Sequence, residues 1–226
     1  MKAMILAAGR GERMRPLTDT RPKALLPVGG KPLIEWHIEK LAAAGFSAIV
    51  INHAHLGELI EAALGDGERF GVDIMYSPEA AALETAGGIV NALRLLGDAA
   101  FAVVNADVYS EFDYAHLADA ARRLAHQDEL AHLVLVANPE HHRDGDFALQ
   151  NGRVAIEGAR FTFSGIAAYR PAMFKGIASG SNAKLAPLLR EHIAAQRVNG
   201  EFFAGRWCDV GTPARLVSLE RELAAR

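Results

Sequence analysis

From residue 1 to residue 137 the sequence alternates short, largely apolar runs with stretches of helical periodicity, and this alternation confines the chain to an α/β fold. The runs at 1–8, 46–52, 72–76, 101–105 and 130–137 read as strands buried on both faces. Between them, 32–45, 56–64, 85–96 and 114–126 read as helices; in the first, Leu33, Ile34, His37, Ile38, Leu41 and Ala42 recur at helical spacing between Pro32 and Gly45. A strand–helix–strand series of this kind builds a parallel sheet with right-handed crossovers. Beyond residue 137 the pattern loosens. Asn151-Gly152 marks a hairpin across 147–156, 161–169 reads as a strand and 184–196 as a helix. Residues 201–210 read as a strand or hairpin partner and 212–225 as a final amphipathic helix. The expected fold is a doubly wound, mostly parallel sheet with a small antiparallel addition. No linker or internal repeat divides the chain, so 1–226 is expected to be one domain, with a first half to about 137 and a second from about 138.

Composition excludes several classes. The formal charge of −3 is a poor match to general nucleic-acid binding, which leaves a basic footprint. No run approaches the roughly 18 apolar residues of a membrane span. The apolar stretch before Arg10 is too short for a secretory signal, and one cysteine, Cys208, cannot form an intrachain disulfide; a reducing cytoplasm is the expected location. Charge is unevenly spread. Between Arg10 and Lys31 six basic residues face two acidic ones, giving +4 there and −7 elsewhere. A basic pocket in an acidic protein suits a small polyanion.

That basic segment, LAAGRGERMRPLTDTRPK from Leu6 to Lys23, follows the first strand directly. It fails the dinucleotide fingerprint, because Met14 stands at the third glycine position, and it fails the P-loop, because no Gly-Lys-Ser/Thr triplet occurs. Small residues at Ala7, Ala8, Gly9 and Gly11 let backbone N–H groups approach phosphate oxygens, and Arg15 and Lys23 supply fixed cations. At an effective dielectric of about 20 each close cation–phosphate contact is worth on the order of 4 kcal/mol before desolvation. An isolated basic residue is more simply a solvated surface charge. Here glycines, prolines and cations cluster after a strand, which favours an anion trap.

The stretch LAAGRGERMRPLTDTRPKALLPVGGKPLIEW resembles the signature of the sugar-1-phosphate nucleotidyltransferases, and the similarity continues through VINHAHLGELIEAALGDG, SPEAAALETAGGI, VVNADV and WCDVGTPARL. The resemblance implies a Rossmann-like, glycosyltransferase-A-like domain in which residues to about 137 bind the nucleotide and the remainder binds the sugar. It implies in-line attack of a sugar 1-phosphate on the α-phosphorus of a nucleoside triphosphate, UTP being the expected one, with Mg2+ as cofactor. Such chemistry needs positioning and charge neutralisation more than a protein nucleophile. Carried over residue by residue, Arg15 would hold the β and γ phosphates and Lys23 the phosphates at the reacting centre. Ala8, Gly9, Gly11, Glu12 and Arg13 would surround the nucleotide. Thr85, Gly87 and Gly88 would contact the base, with uracil between them and Ala8-Gly9 and with Glu79 nearby. Asp107 and Asp209 would hold the metal.

Residue chemistry agrees in part. Mg2+ takes one or two carboxylates and completes its octahedron with water and phosphate, and Asp107 follows an apolar strand, where open α/β sheets place ligands. Taken alone, an aspartate at a strand end is more often a turn or cap residue. For the sugar, the resemblance implies Asn105, Glu140, Gly145, Asp146, Glu157 and Ser164. The chain departs from the hexose-1-phosphate thymidylyltransferases, which carry Glu-Lys-Pro where this sequence reads Ile156-Glu157-Gly158, and Lys184 is the substitute cation. Neither His53/His55 nor His141/His142 has zinc-finger spacing. The short tail after Asp209 leads us to expect a monomer, with a weak homodimer as the alternative. Beside the expected uridylyltransferase two readings stay open: a uridylyl-, thymidylyl- or guanylyltransferase acting on glucose or mannose 1-phosphate, and a catalytically silent nucleotide-sugar sensor.

Overall fold

The computed structural model describes residues 1–225. In chain order it contains β1 (Lys2–Leu6), a short hairpin β2 (Pro27–Val28) and β3 (Lys31–Pro32), α1 (Leu33–Ala43), β4 (Ala48–His53), α2 (Gly57–Leu64), β5 (Asp73–Pro78), α3 (Glu84–Leu96), β6 (Phe101–Asn105) and β7 (Val108–Ser110). Then follow α4 (Tyr114–Leu124), β8 (Ala131–Val136), β9 (Phe147–Gln150), β10 (Arg153–Ala155), β11 (Arg160–Tyr169), α5 (Leu185–Ala194), β12 (Val198–Phe203), β13 (Trp207–Asp209) and α6 (Pro213–Ala224). Nine strands form one sheet in the order β5-β4-β1-β6-β11-β8-β12-β10-β9.

The parallel series β5-β4-β1-β6 matches the sequence pattern. Strand β8 does not: it is separated from β6 by β11, which runs antiparallel to both, and it pairs in parallel with β12. The crossover through α4 therefore leaves one slot that a strand from the second half fills. Residues 201–210, expected as a strand or hairpin partner, divide between the end of β12 and β13, and β13 leaves the main sheet to pair antiparallel with β7. The hairpin turn has Asn151 and Gly152 both in the left-handed region (φ 51° and 77°), the requirement that Asn-Gly meets most cheaply.

Successive side chains of a strand point to opposite faces, so a strand covered on both sides must be apolar at every position. Ala3 and Ile5 pack with Ile34, Ile38 and Leu41 of α1 and with Leu117 of α4. Met4, between them, packs with Ile89 of α3 and with Leu189 and Ile193 of α5 on the other face. A third cluster fixes the segment between β1 and α1: Met14, fully buried, packs with Val28 and Leu33, with Tyr109 beside β13, and with Leu216 and Leu219 of α6. Truncating such a residue to alanine costs about 2–5 kcal/mol. The basic loop is thus anchored at its middle, and its glycine end stays over the sheet.

Candidate active site

Strands β1, β4 and β6 end on one side of the sheet and open a cavity of about 470 Å3. Its walls include Ala8, Gly9, Gly11, Glu12, Arg13 and Lys23 from the basic loop, Glu79 and Thr85 from the β5–α3 side, and Asn105 and Asp107 from the end of β6. The loop is shaped by its own hydrogen bonds. Gly11 is left-handed at φ +71°, a conformation that costs an L-residue roughly 1–2 kcal/mol, and its carbonyl accepts from the Thr18 hydroxyl at 2.9 Å. A Cβ there would stand 3.1 Å from Thr18 and 3.3 Å from Lys23, so glycine lets the Lys23 stem pass. Lys23 Nζ lies 2.6 Å from Asp107 Oδ2, with the lysine side chain 11% exposed and the carboxylate 41%.

Asn52, at the end of β4, was not foreseen from the sequence. Its Oδ1 accepts from Ala7 N–H at 2.9 Å and its Nδ2 donates to Glu79 Oε1 at 2.6 Å. Glu79 is buried, and its Oε2 accepts from Leu83 N–H at 2.9 Å. This chain of bonds ties the end of β1 to residues 79–83 across the cavity floor. The available signal was a polar residue ending an apolar strand; recognising it required knowing that β4 lies beside β1.

Gly87 and Gly88 lie within α3, as the helical reading of 85–96 expects, and neither lines the cavity. The N–H groups of Ala86 and Gly87 both donate to the Ala183 carbonyl. A Cβ on Gly87 would meet the Ser181 carbonyl at 2.3 Å, and one on Gly88 would meet Asn52 Nδ2 and Glu79 Oε1 at 2.8 Å. These glycines build the wall by close packing. Glu84, at the mouth of α3, has φ +61°, a strained conformation for a non-glycine residue, and it does line the cavity.

Arg15 is outside the cavity. Its side chain is 53% exposed, with Nε 2.7 Å from Asp19 and Nη1 3.9 Å from Glu12. Asp209 is also absent from the cavity wall, yet β13 places it next to Asp107: Asp209 pairs with Val108, and Val210 N–H donates to the Asp107 carbonyl at 2.8 Å. Its carboxylate faces Arg215 Nη1, at 2.9 Å from Oδ1 and 2.8 Å from Oδ2, and His141 Nε2 at 3.0 Å.

The expected sugar residues separate into two groups. Asn105 lines the cavity and packs against Gly165, which is left-handed (φ +77°) and has room for no Cβ: one would stand 2.6 Å from Asn105 Nδ2. Glu140, Gly145, Asp146, Glu157 and Ser164 do not line it. Ser164 is fully buried, donating to the Val134 carbonyl at 2.7 Å and accepting from Ile166 N–H at 3.1 Å. Asp146 accepts from Phe163 N–H at 2.8 Å and, with His142 3.2 Å away, holds the 138–146 loop. Gly145 is left-handed (φ +60°) and leaves room for the Asn138 amide at the base of that loop. Glu140 and Glu157 are exposed, as is Lys184, ahead of α5.

Behind Asp107 a buried polar pair supports β7. His37 Nε2 donates to the Val108 carbonyl and Nδ1 accepts from the Tyr114 hydroxyl, both at 2.7 Å, which fixes a neutral imidazole. Burial holds its pKa down at about 4. Lys40, alongside, donates to the Ser110 carbonyl, and burial lowers its pKa to about 8. Cys208, between Trp207 and Asp209, is half-buried, and desolvation first, then the neighbouring Asp209 charge, pushes its thiol up to about 11, unsuited to a nucleophile.

Among the described residues no group of three or more His, Cys, Asp or Glu side chains is arranged to hold a metal ion. Asp107 and Asp209, brought together along the backbone by the β7–β13 pairing, are the carboxylates available there to an ion such as Mg2+, which draws most of its ligands from water and phosphate. No helix among the described residues is long and apolar enough to cross a membrane.

A model of the nucleotidyl transferase family matches residues 2–226. The chain belongs to that family. As a nucleotidyltransferase it is 57% identical, over 96% of its length and 95% of the relative's, to the N-acetylmuramate alpha-1-phosphate uridylyltransferase of Neisseria meningitidis serogroup B. It is 36% identical, over 98% and 96%, to the protein of the same name from Caulobacter vibrioides. The fold of this nucleotidyltransferase is shared by a solved Bacillus anthracis protein ascribed glucose-1-phosphate thymidylyltransferase activity, with a TM-score of 0.87, 24% identity and coverage of 99% and 95% of the two chains.

Proposed function

We propose that this nucleotidyltransferase joins UTP to N-acetylmuramate α-1-phosphate, forming UDP-N-acetylmuramate and pyrophosphate. The observation that carries the reading is the 57% identity along nearly the whole chain to a uridylyltransferase of that substrate; the Lys23–Asp107 pair in the wall of the cavity agrees with it. An oxygen of the sugar phosphate attacks the α-phosphorus, the bond from that phosphorus to the β-phosphate oxygen breaks, and pyrophosphate leaves.

The base lies over Ala8 and Gly9 against Thr85, in the space that the Asn52–Glu79 bridge keeps open. Lys23 faces the transferring phosphate and stabilises the charge that builds on it. Arg13 lines the same cavity, whereas Arg15 reaches the outer phosphates only by leaving Asp19. Asp107 and Asp209 are the carboxylates suited to Mg2+, which would neutralise phosphate charge when bound. Asn105 offers both a donor and an acceptor to the sugar. The 138–146 loop, with Glu140, Gly145 and Asp146, stands on the sugar side; Glu157 and Ser164 support that side from the second half of the chain.

The deciding assay is pyrophosphate release with UTP, dTTP and GTP, each crossed with N-acetylmuramate, glucose and mannose 1-phosphates, with and without Mg2+. The reading requires the highest kcat/KM for UTP with the muramate substrate and dependence on the metal. No release from any pair would favour a silent nucleotide-sugar sensor, and a preference for glucose or mannose 1-phosphate would replace the proposed sugar.

A further inference from the structure

Arg215, in the first turn of α6, was not among the residues the sequence pointed to. Its Nη1 sits between the two oxygens of Asp209, at 2.9 and 2.8 Å, and also touches His141 Nε2. The side chain is 19% exposed, and its buried Nε has no hydrogen-bond partner. Buried guanidinium donors are ordinarily satisfied, so Arg215 keeps donor capacity in reserve. The chain also makes room for it: a Cβ on Gly211 would lie 2.1 Å from Arg215 Nη2.

The arrangement parallels the one across β7, where Lys23 pairs with Asp107. Each carboxylate assigned to the metal therefore has a cation of its own. In the proposed function, on which this inference rests, both carboxylates serve a divalent ion, and each cation must then give up contact with its aspartate. Lys23 lines the nucleotide cavity and turns to the triphosphate. Arg215 does not line that cavity; it lies against Asp209 and against His141 of the 138–146 loop. Arg206, the nearby alternative, faces Glu111 and Glu222 instead. We propose that Arg215 is a sugar-substrate-binding residue whose guanidinium exchanges Asp209 for an anionic oxygen of the substrate, its 1-phosphate or its carboxylate. A guanidinium suits either group, because both present two oxygens to its parallel N–H bonds.

The test compares wild type with Arg215→Ala, Arg215→Lys and Gly211→Ala by calorimetry. One titration uses Mn2+ alone. Others add N-acetylmuramate 1-phosphate or glucose 1-phosphate to enzyme holding Mg2+ and a non-hydrolysable UTP analogue. In Arg215→Ala, Mn2+ should bind about fivefold tighter, the equivalent of removing a partly exposed competing ion pair worth ~1 kcal/mol. The sugar-phosphate Kd should rise at least about tenfold, with the Kd of the UTP analogue unchanged. Arg215→Lys should recover part of the loss. Gly211→Ala, which displaces the guanidinium while keeping its charge, should tighten Mn2+ and weaken sugar binding less than Arg215→Ala does. Weakening of the muramate ligand alone would assign the carboxylate; equal weakening of both ligands would assign the phosphate. Unchanged sugar binding in Arg215→Ala, or a parallel loss of metal, UTP analogue and sugar, overturns the inference while wild-type turnover leaves the proposed function standing. Absence of wild-type turnover with every sugar 1-phosphate removes both.

Discussion

Lys23 Nζ and Asp107 Oδ2, 84 residues apart in the chain, stand 2.6 Å from each other where the basic loop crosses the end of β6. The contact brings the loop's one largely buried cationic side chain in the cavity to the carboxylate assigned to the metal. Lys23→Ala should therefore lower kcat on the order of 100-fold, the scale for deleting a preorganised charge stabiliser. Asp107→Ala should remove metal-dependent turnover. Steady-state pyrophosphate release checks both, and near-normal rates in either variant would contradict the assigned roles.

Glu79 should act on nucleotide binding through structure. With Asn52 Nδ2 and Leu83 N–H both donating to it in a buried setting, Glu79→Ala leaves two donors without a partner, at about 1–3 kcal/mol each. The expected result is a lower melting temperature together with a UTP Kd raised about tenfold or more, while the KM for the sugar phosphate changes less. Thermal denaturation and UTP titration measure the two parts separately. Equal loss of affinity for both substrates would argue for general unfolding instead.

Gly165→Ala should damage the sugar side. The position is left-handed, and the added Cβ would press on Asn105 Nδ2 from 2.6 Å. Strain and displacement together should cost about 1–3 kcal/mol, a fall of several degrees in Tm for a chain of this size. Kinetics should show a raised KM for the sugar 1-phosphate with the UTP KM retained. A variant as stable and as active as wild type would show that Asn105 does not depend on this glycine.

The pH dependence of stability should carry a signature of His37. Its pKa falls from 6.5 in the unfolded chain to about 4 in the fold. Between those values the unfolded chain takes up a proton that the native imidazole refuses, so the contribution is complete above pH 6.5 and is lost as pH falls to 4. The difference corresponds to about 3 kcal/mol. Urea denaturation at pH 7 and pH 4 should show a shallower fall in His37→Gln than in wild type, whatever that variant's stability at neutral pH.

Several of these elements were legible before any coordinates. The apolar runs marked every strand of the parallel series, because burial on both faces demands apolar residues at successive positions, and the small residues of the basic loop are what led to the proposed anion site, because close phosphate approach demands them. Asn151-Gly152 likewise fixed its turn, since both residues must be left-handed. Gly87-Gly88 could not be read from sequence for a physical reason: glycine permits close approach of any atom, and here that atom is the Ser181 carbonyl on one side and the Asn52–Glu79 pair on the other.

By itself the sequence determined the layer architecture and put Lys23 and Asp107 forward as the candidates for a site at the strand ends. Tertiary structure alone decided that β11 enters between β6 and β8, that Asn52 reaches Glu79, and that Arg215 meets Asp209. Periodicity records how each segment meets a generic apolar core. Which segments become neighbours depends on strand order and loop closure, and a polar side chain acquires its role only from the partner that folding sets within hydrogen-bonding distance of it.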